Sequence, residues 1–167
     1  MADTVIERIA IEIITRLETI TIANGYLFTV TDVVRPDRLG TSFTPDNYLI
    51  VVTKKDSAYN DELTHPGNPP AIAFDTTFEI ACMVRESDKE ESSIATTTNT
   101  VMAAAMKSIV TGATDPIVWY QMAGNSINCN WGDISPFSQS DGSHAGGTIS
   151  LIVTHRQSEN DPYTVRA

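Results

Sequence analysis

The sequence has 167 residues, of which 41% are hydrophobic and 19% are charged, a composition typical of a single globular domain over residues 1–167 and not of a disordered chain. Its 11 basic and 21 acidic residues give a formal net charge of −10, which repels phosphate and argues against tight, non-specific binding to nucleic acid. The two cysteines are too few for a disulfide framework and indicate folding in a cytoplasm, and no segment is long and apolar enough to predict a membrane span or a membrane partner.

The first predicted element is an amphipathic helix. Thr4 and Glu7 have the spacing of a capping box, in which each side chain accepts a hydrogen bond from the other residue's backbone N–H. Apolar residues then recur at the three- and four-residue steps of one buried helical face, namely Ile6, Ile9, Ile13, Leu17 and Ile20. The charged residues predicted to lie off this face are Arg8, Glu12 and Arg16. Asn24-Gly25 predicts the turn that follows.

Three strands and a long loop are predicted next. Residues 26–35 and 48–54 are rich in β-branched and aromatic side chains, and residues 74–84 alternate between apolar and polar. Between the last two strands, prolines and polar turn-formers predict a loop over residues 54–72. A loop of this length in a compact domain usually serves as a lid or a contact arm. Its acidic side chains include Asp56, Asp61 and Glu62.

A second helix is predicted from Ser92 or Ser93, either of which can cap it, to Gly112, which is typical of a helix end. Apolar side chains again fall on one face of this helix, at Ile94, Val101, Met102, Ala105 and Ile109.

The last third of the chain predicts further strands. Residues 117–131 are apolar but mixed, which favours two short strands around a turn at Gly124-Asn125. Residues 138–147 predict a flexible loop, and residues 147–156 predict an interior strand because its centre is apolar on both faces. The order of elements predicts an α+β fold, with a mostly antiparallel sheet of four to six strands and two helices packed on one face.

The histidines do not form a recognisable site. His65 follows Glu62 at a spacing that di-iron bundles use, but a proline comes directly after it and the second copy that such sites need is missing. His144 falls in a predicted loop, and His155, late in a strand, is more typical of a structural or interface histidine than of a base.

The remaining candidates for chemistry are equally weak. Cys82 has the apolar phase of its strand, and no histidine lies in a clear pairing register with Cys129. The acidic run 86–91 lacks the spacing of a calcium loop. Motifs of the common hydrolases, phosphate loops and dinucleotide sites are missing. The sequence therefore predicts no catalytic residue, no cofactor and no metal ligand.

An extended arm is predicted over residues 157–167. Pro162 fixes its own backbone and favours an extended conformation for Asp161, which lowers the entropy lost when the segment docks. Aromatic and arginine side chains are enriched at interfaces. The predicted interface residues of this arm and the strand before it are Arg156, Asp161, Pro162, Tyr163 and Arg166.

Several short motifs occur in a fixed order along the chain. They are the capped amphipathic helix, the Asn-Gly turn, a strand entering VVRP, a middle strand, and the ending VTHR followed by polar residues and DPYT. This series resembles phage tail terminator or tail completion proteins. The resemblance covers Thr4–Pro36, Phe74–Val84 and Leu151–Thr164, and none of its motifs is catalytic.

The resemblance implies a structural virion protein and not an enzyme. Such proteins form a ring, usually a hexamer, that caps the tail tube and joins it to the neck of the virion after assembly in the host cytoplasm. The implied partners are copies of the same chain, the tail tube protein and neck or head-tail connector proteins. DNA would pass through an acidic lumen without specific binding. The arm would then contact a neighbouring chain, and Asp56, Asp61 and Glu62 would face the lumen or the tube-facing rim.

Three alternatives remain from the sequence. One is another neck component, such as a head-completion or stopper protein. A second is a small hydrolase or transferase that uses His155 with Cys129 or an acid. The third is a ligand-binding module in which the loop 54–72 acts as a lid.

Overall fold

The computed structural model describes residues 3–35, 48–65, 70–85, 91–112, 116–138, 144–159 and 161–165. These residues confirm the predicted α+β fold, with two α-helices and a curled, mostly antiparallel sheet of six strands. The helices are α1 (Val5–Leu17) and α2 (Glu91–Thr111), with short 3₁₀ helices at Ile22–Asn24 and Pro116–Gln121. The strands are β1 (Asp32–Val34), β2 (Tyr48–His65), β3 (Ala71–Arg85), β4 (Asn128–Ser138), β5 (His144–Ser158) and β6 (Asp161–Val165).

The strands lie in the order β1-β2-β3-β5-β4, and only the β1–β2 pair is parallel. One side of β5 pairs with β3, from His144 to Ser158. Its other side pairs with β4 as far as Thr154 and then with β6 at Gln157 and Ser158. The sheet therefore has a β1/β2 edge and a β4/β6 edge.

The core lies between the sheet and the helices. On the covered face, Phe78 and Ile80 of β3 lie opposite Leu151 and Ile149 of β5, and all four are fully buried. The helices contribute, among others, Ile9, Ile13 and Leu17 of α1 and Val101, Ala105 and Ile109 of α2. Full burial of one such side chain contributes about 1.5–3 kcal/mol. These positions confirm the predicted apolar faces, except that Ile94 lies outside the side chains that the structure describes.

Two local features set how the helices lie. The Glu7 N–H donates to Thr4 Oγ1 at 3.2 Å, which is the Thr4 half of the predicted capping box and fixes the start of α1. The Glu7 carboxylate accepts from Arg35 Nη1 at 2.5 Å. Gly147 of β5 lets α2 approach the sheet, since a Cβ atom there would lie 2.2 Å from Met102 Sδ.

The prediction that Arg16 lies off the buried face is wrong. The residue is 2% exposed, and its Nη1 donates at 2.8 Å to the carbonyl oxygens of Ile109 and Trp119. Its Nε donates to Glu12 at 2.7 Å. The last carbonyls of α2 have no partner within their own helix, so a long cationic side chain from α1 can satisfy one of them. Arg16 therefore joins α1, α2 and the 3₁₀ helix Pro116–Gln121.

The strand predicted over residues 26–35 is mostly a compact loop, and only β1 is a strand. The Tyr26 N–H bonds the Thr21 carbonyl, and the Ile22 N–H bonds Thr29 Oγ1, so the backbone satisfies itself locally. Gly25, at φ +80°, supplies the left-handed residue at the predicted turn. Local hydrogen bonds thus outweigh the β propensity of these residues.

The predicted loop over residues 54–72 is also wrong, because β2 continues to His65. The prolines of this stretch all come after His65, so none removes a donor from the strand. Polar residues are tolerated because this half of β2 is an exposed outer strand. Its pairing with β3 also shifts register twice, once between Lys54 and Ser57 and once between Asn60 and His65.

The last third also differs from its prediction. Residues 116–121 form a 3₁₀ helix in place of a strand, and β4 runs from Asn128 to Ser138. The predicted loop 138–147 is wrong at its ends, because Ser138 belongs to β4 and residues 144–147 belong to β5; residues 139–143 lie outside the described residues. On one side, Gly146 and Gly147 pair with Met83 and Cys82 of β3, respectively. On the other side, they pair with the end of β4, so two neighbouring strands hold them in the sheet.

Candidate interaction surfaces

The predicted free arm over residues 157–167 is wrong, because its described part folds back onto the same chain. β5 extends to Ser158, and β6 then pairs with it, with Val165 opposite Gln157. Arg8 of α1 holds β6 from the side, since its Nη2 donates to the Tyr163 carbonyl at 2.7 Å. The strand forms because β4 leaves this stretch of β5 unpaired. The arm is therefore a hairpin strand on the β4/β6 edge.

The predicted interface residues lie in two environments. Pro162 and Tyr163 are exposed, and Tyr163 keeps 44% of its surface open. Asp161 is half-buried and shapes the start of β6, since it accepts hydrogen bonds from the Tyr163 N–H at 3.0 Å and from Thr164 Oγ1. Arg166 lies outside the described residues. Of the arm, Pro162 and Tyr163 are therefore the described residues best able to contact a neighbour.

Arg156 has a role inside the subunit. Its Nε donates to the Leu63 carbonyl at 2.9 Å, while the Leu63 N–H donates to Asn60 Oδ1 at 3.1 Å. Asp75 completes this polar clasp, which we define as Asn60, Leu63, Asp75, Thr154 and Arg156. The Asp75 carboxylate accepts from Asn60 Nδ2 at 2.9 Å and from Thr154 Oγ1 at 2.6 Å. The clasp fixes the end of β2 over β3 and β5.

The three predicted rim residues are exposed on β2. Asp56 lies in the first register shift of the strand, and Asp61 and Glu62 lie in the second, next to the polar clasp. The bond from Arg156 to Leu63 thus brings Arg156 near the acidic pair Asp61 and Glu62, although they belong to separate predicted segments of the sequence. These carboxylates project from a fixed strand and not from a lid.

The two thiols are poorly suited to nucleophilic chemistry. Burial raises the pKa of Cys82 to about 12 and that of Cys129 also to about 12, so both are protonated at neutral pH. The hydroxyl of Ser126 and the charge of Arg16 act in the opposite direction at Cys129 but do not outweigh its burial. Cys129 Sγ donates to the Tyr120 carbonyl at 3.1 Å.

His155 is fully buried in the sheet. Its ring stacks on Phe74 with 5.9 Å between centroids. Neither ring nitrogen makes a well-formed hydrogen bond in the described part of the chain, although the Val153 backbone lies near enough to favour the protonated ring. Burial lowers the pKa of His155; the nearby Val153 carbonyl and Asp75 act to raise it, and Lys54 lowers it further. A neutral, enclosed imidazole of this kind cannot reach a substrate.

The β4/β6 edge contains an open cavity of about 380 Å³. Its lining is mainly apolar and includes Tyr120, Gln121, Ile127, Arg156 and Val165. We call this cavity the edge pocket.

One wall of the edge pocket follows an unusual stretch of backbone. Met122, Ala123 and Gly124 have φ values of 41°, 54° and 81°, so two residues with side chains adopt the left-handed conformation. Such conformations cost about 1–3 kcal/mol each for non-glycine residues and persist only where the surroundings hold them. Here the Asn125 side chain donates to the Met122 carbonyl at 2.9 Å. The wall is therefore a fixed turn.

An apolar projection lies at the opposite edge of the sheet. Ile22 and Leu27 are 65% and 85% exposed, and we call this pair the apolar knob. The next residue, Phe28, contacts Tyr48 at the start of β2 with 4.6 Å between ring centroids. The preceding residue, Tyr26, packs on the end of α2, with Lys107 Nζ 4.8 Å from its ring centroid. The knob therefore lies between the start of β2 and the end of α2. The sequence does not indicate this feature, since residues 26–35 predict a strand and nothing in the local pattern shows that the Leu27 side chain points into solvent.

Other classes of site find little support in this part of the molecule. The described residues contain no group of three or more histidine, cysteine, aspartate or glutamate side chains that could hold a metal ion. Among the same residues, no helix is both long and apolar enough to cross a membrane. Comparison of the sequence with known protein families and with curated proteins finds no match.

Proposed function

We propose that the chain is a structural assembly protein that forms a ring of identical subunits at the end of a phage tail. The observation that carries the proposal is the exposure of large apolar side chains at both edges of the sheet. Leu27 and Ile22 lie beside the β1/β2 edge, and Tyr163 and Ile134 lie at the β4/β6 edge. A ring joins copies head to tail through two different surfaces, which such a distribution provides.

The proposed place of the ring within the virion rests on the resemblance to tail terminator or tail completion proteins. The motifs of this resemblance predict a terminator ring, most often of six copies, that binds the tail tube protein on one side and neck proteins on the other. The exposed carboxylates of Asp56, Asp61 and Glu62 favour a place at the lumen or at the rim that faces the tube. Together with the net charge of −10, they would repel DNA phosphates and let the genome pass without binding.

The ring is tested by negative-stain imaging and analytical ultracentrifugation of the concentrated protein, alone and with the tail tube protein. We expect rings with a central hole that cap the ends of tubes. A protein that stays monomeric at every concentration and ignores tubes would refute the proposal.

The second candidate, another neck component, differs in its partner. Pull-down experiments with the tail tube protein and, separately, with portal or adaptor protein distinguish the two. Binding to the tube supports a terminator, and binding only to the portal or adaptor supports a head-completion or stopper protein. The ligand-binding alternative loses its proposed lid, because residues 54–65 form part of β2.

A further inference from the structure

We infer that the apolar knob of one subunit inserts into the edge pocket of the next, so that Leu27 and Ile22 become part of the neighbour's β4/β6 edge. This contact rests on the proposed ring and names the two surfaces that form it. It requires that the surfaces lie apart on one subunit, match in size and chemistry, and keep their shape before they meet.

The positions of the two surfaces suit a head-to-tail contact. The knob lies beside the β1/β2 edge, since the Thr31 N–H bonds the Tyr48 carbonyl just after the knob loop. The pocket lies at the other edge, between the start of β4 and the hairpin of β5 and β6. β3 and β5 lie between the two edges in the strand order, which favours a second copy of the chain as the occupant of the pocket.

Size and chemistry also match. A cavity of roughly 150 Å³ accommodates a benzene molecule, so the edge pocket, at about 380 Å³, has room for two branched aliphatic side chains. Tyr120, Ile127 and Val165 supply the apolar part of the wall, and the polar part comes from Gln121, Asn125, Ser126 and Arg156. Burial of Leu27, now 85% exposed, would remove a large apolar surface from water.

Both surfaces are held in place before they meet. In the knob loop, Asn24 Nδ2 donates to the Thr19 carbonyl at 2.8 Å and the Gly25 N–H donates to the Ile22 carbonyl at 3.0 Å. In the pocket, Asn125 fixes the left-handed turn. Surfaces that are already ordered lose little entropy on docking, which favours a specific contact.

The test is disulfide cross-linking of two variants, Leu27→Cys and Gln121→Cys. The native thiols are buried and have raised pKa values, so they give little background. On mild oxidation, a mixture of the two variants should give a covalent dimer, and the double variant should give a ladder of higher species. Each variant alone should give neither, because a head-to-tail contact does not bring identical positions together.

A matched control uses Ile11→Cys, since Ile11 is also an exposed apolar residue, at 44%, but lies on the outer side of α1. It should not cross-link to Gln121→Cys. Leu27→Asp should weaken self-association about tenfold to a hundredfold, whereas Ile11→Asp should not. Because both positions are exposed, both variants should keep the circular dichroism spectrum of the native fold.

The outcomes separate this contact from the proposed function. Rings without the Leu27–Gln121 cross-link, equal cross-linking by the Ile11 control, or self-cross-linking of Leu27→Cys would each overturn the knob contact and leave the ring intact as a proposal. A protein that forms no oligomer under any condition would overturn both.

Discussion

Replacing His155 with phenylalanine is expected to change how the stability of the protein depends on pH. The histidine ring is fully buried, stacks on Phe74, and makes no well-formed hydrogen bond through either nitrogen in the described part of the chain. Phenylalanine keeps the stacked ring and removes the two polar atoms. It also removes the only group at this position that can take up a proton.

The magnitude follows from the burial of the ring. Burial places the pKa of His155 in the folded protein below its ordinary value of 6.5, so the unfolded chain binds the proton more readily. Above pH 6.5 His155 is neutral in both the folded and the unfolded chain, so the free energy of unfolding is not lowered by its titration. As the pH falls from 6.5 towards the folded pKa, the unfolded chain takes up the proton first and the free energy of unfolding decreases. One proton changes the free energy of unfolding by at most about 1.4 kcal/mol per pH unit.

An unpaired buried polar group also costs about 1–3 kcal/mol at any pH, and the larger phenylalanine ring can cost a similar amount through overpacking. The absolute stability of the variant is therefore not decisive, whereas the pH dependence of the difference is.

The assay is urea unfolding of the wild-type protein and the His155→Phe variant at pH 8, 7, 6 and 5.5, at one protein concentration. The variant should gain stability relative to the wild type as the pH falls below 6.5. Carboxylates that titrate in both proteins cancel in this difference. Parallel curves for the two proteins would show that His155 does not titrate differently on folding, and would refute the reasoning.

Three further predictions concern the fold. Arg16→Met should lower the free energy of unfolding by about 2–4 kcal/mol, because the carbonyls of Ile109 and Trp119 lose their donor. A decrease below about 0.5 kcal/mol in a urea titration, which is typical of a substitution on the surface, would contradict this. Gly147→Ala should cost about 1 kcal/mol, because the new Cβ must displace the flexible end of the Met102 side chain. Met102→Ala in the same chain should recover part of this loss, and the same cost in both backgrounds would exclude the clash. Cys82 and Cys129 should react with a thiol reagent at pH 8 only after unfolding in urea, and rapid labelling of the native protein would disprove their burial.

The parts of the fold that the sequence predicts correctly depend on local chemistry. The cap at Thr4 and the apolar face of α1 follow from spacing along one helix, and the alternation in β3 follows from the period of a strand. The burial of Arg16 could not be predicted, because its partners at Ile109 and Trp119 are far away in the sequence.

The errors in β2 and β6 have a common cause. Polar turn-formers after Lys54 and the Asp-Pro at residue 161 both indicate irregular structure, yet a neighbouring strand offers each segment a partner for its backbone. Pairing between distant segments outweighs local propensity there. Tyr163 and the rim carboxylates, which the sequence singles out, are exposed, whereas the knob and the pocket arise from tertiary packing and leave no local signal in the sequence.

The far half of β2 also bears on how copies of this protein avoid forming fibrils. Beyond Val51, no described strand covers its outer edge, and an unprotected edge of this kind recruits further strands without limit. Lys54, Lys55 and Asp56 put charges along it, and the two register shifts break the regular spacing of its amides. Open-ended backbone pairing is thereby discouraged, so the proposed closed assembly would depend on side-chain contacts.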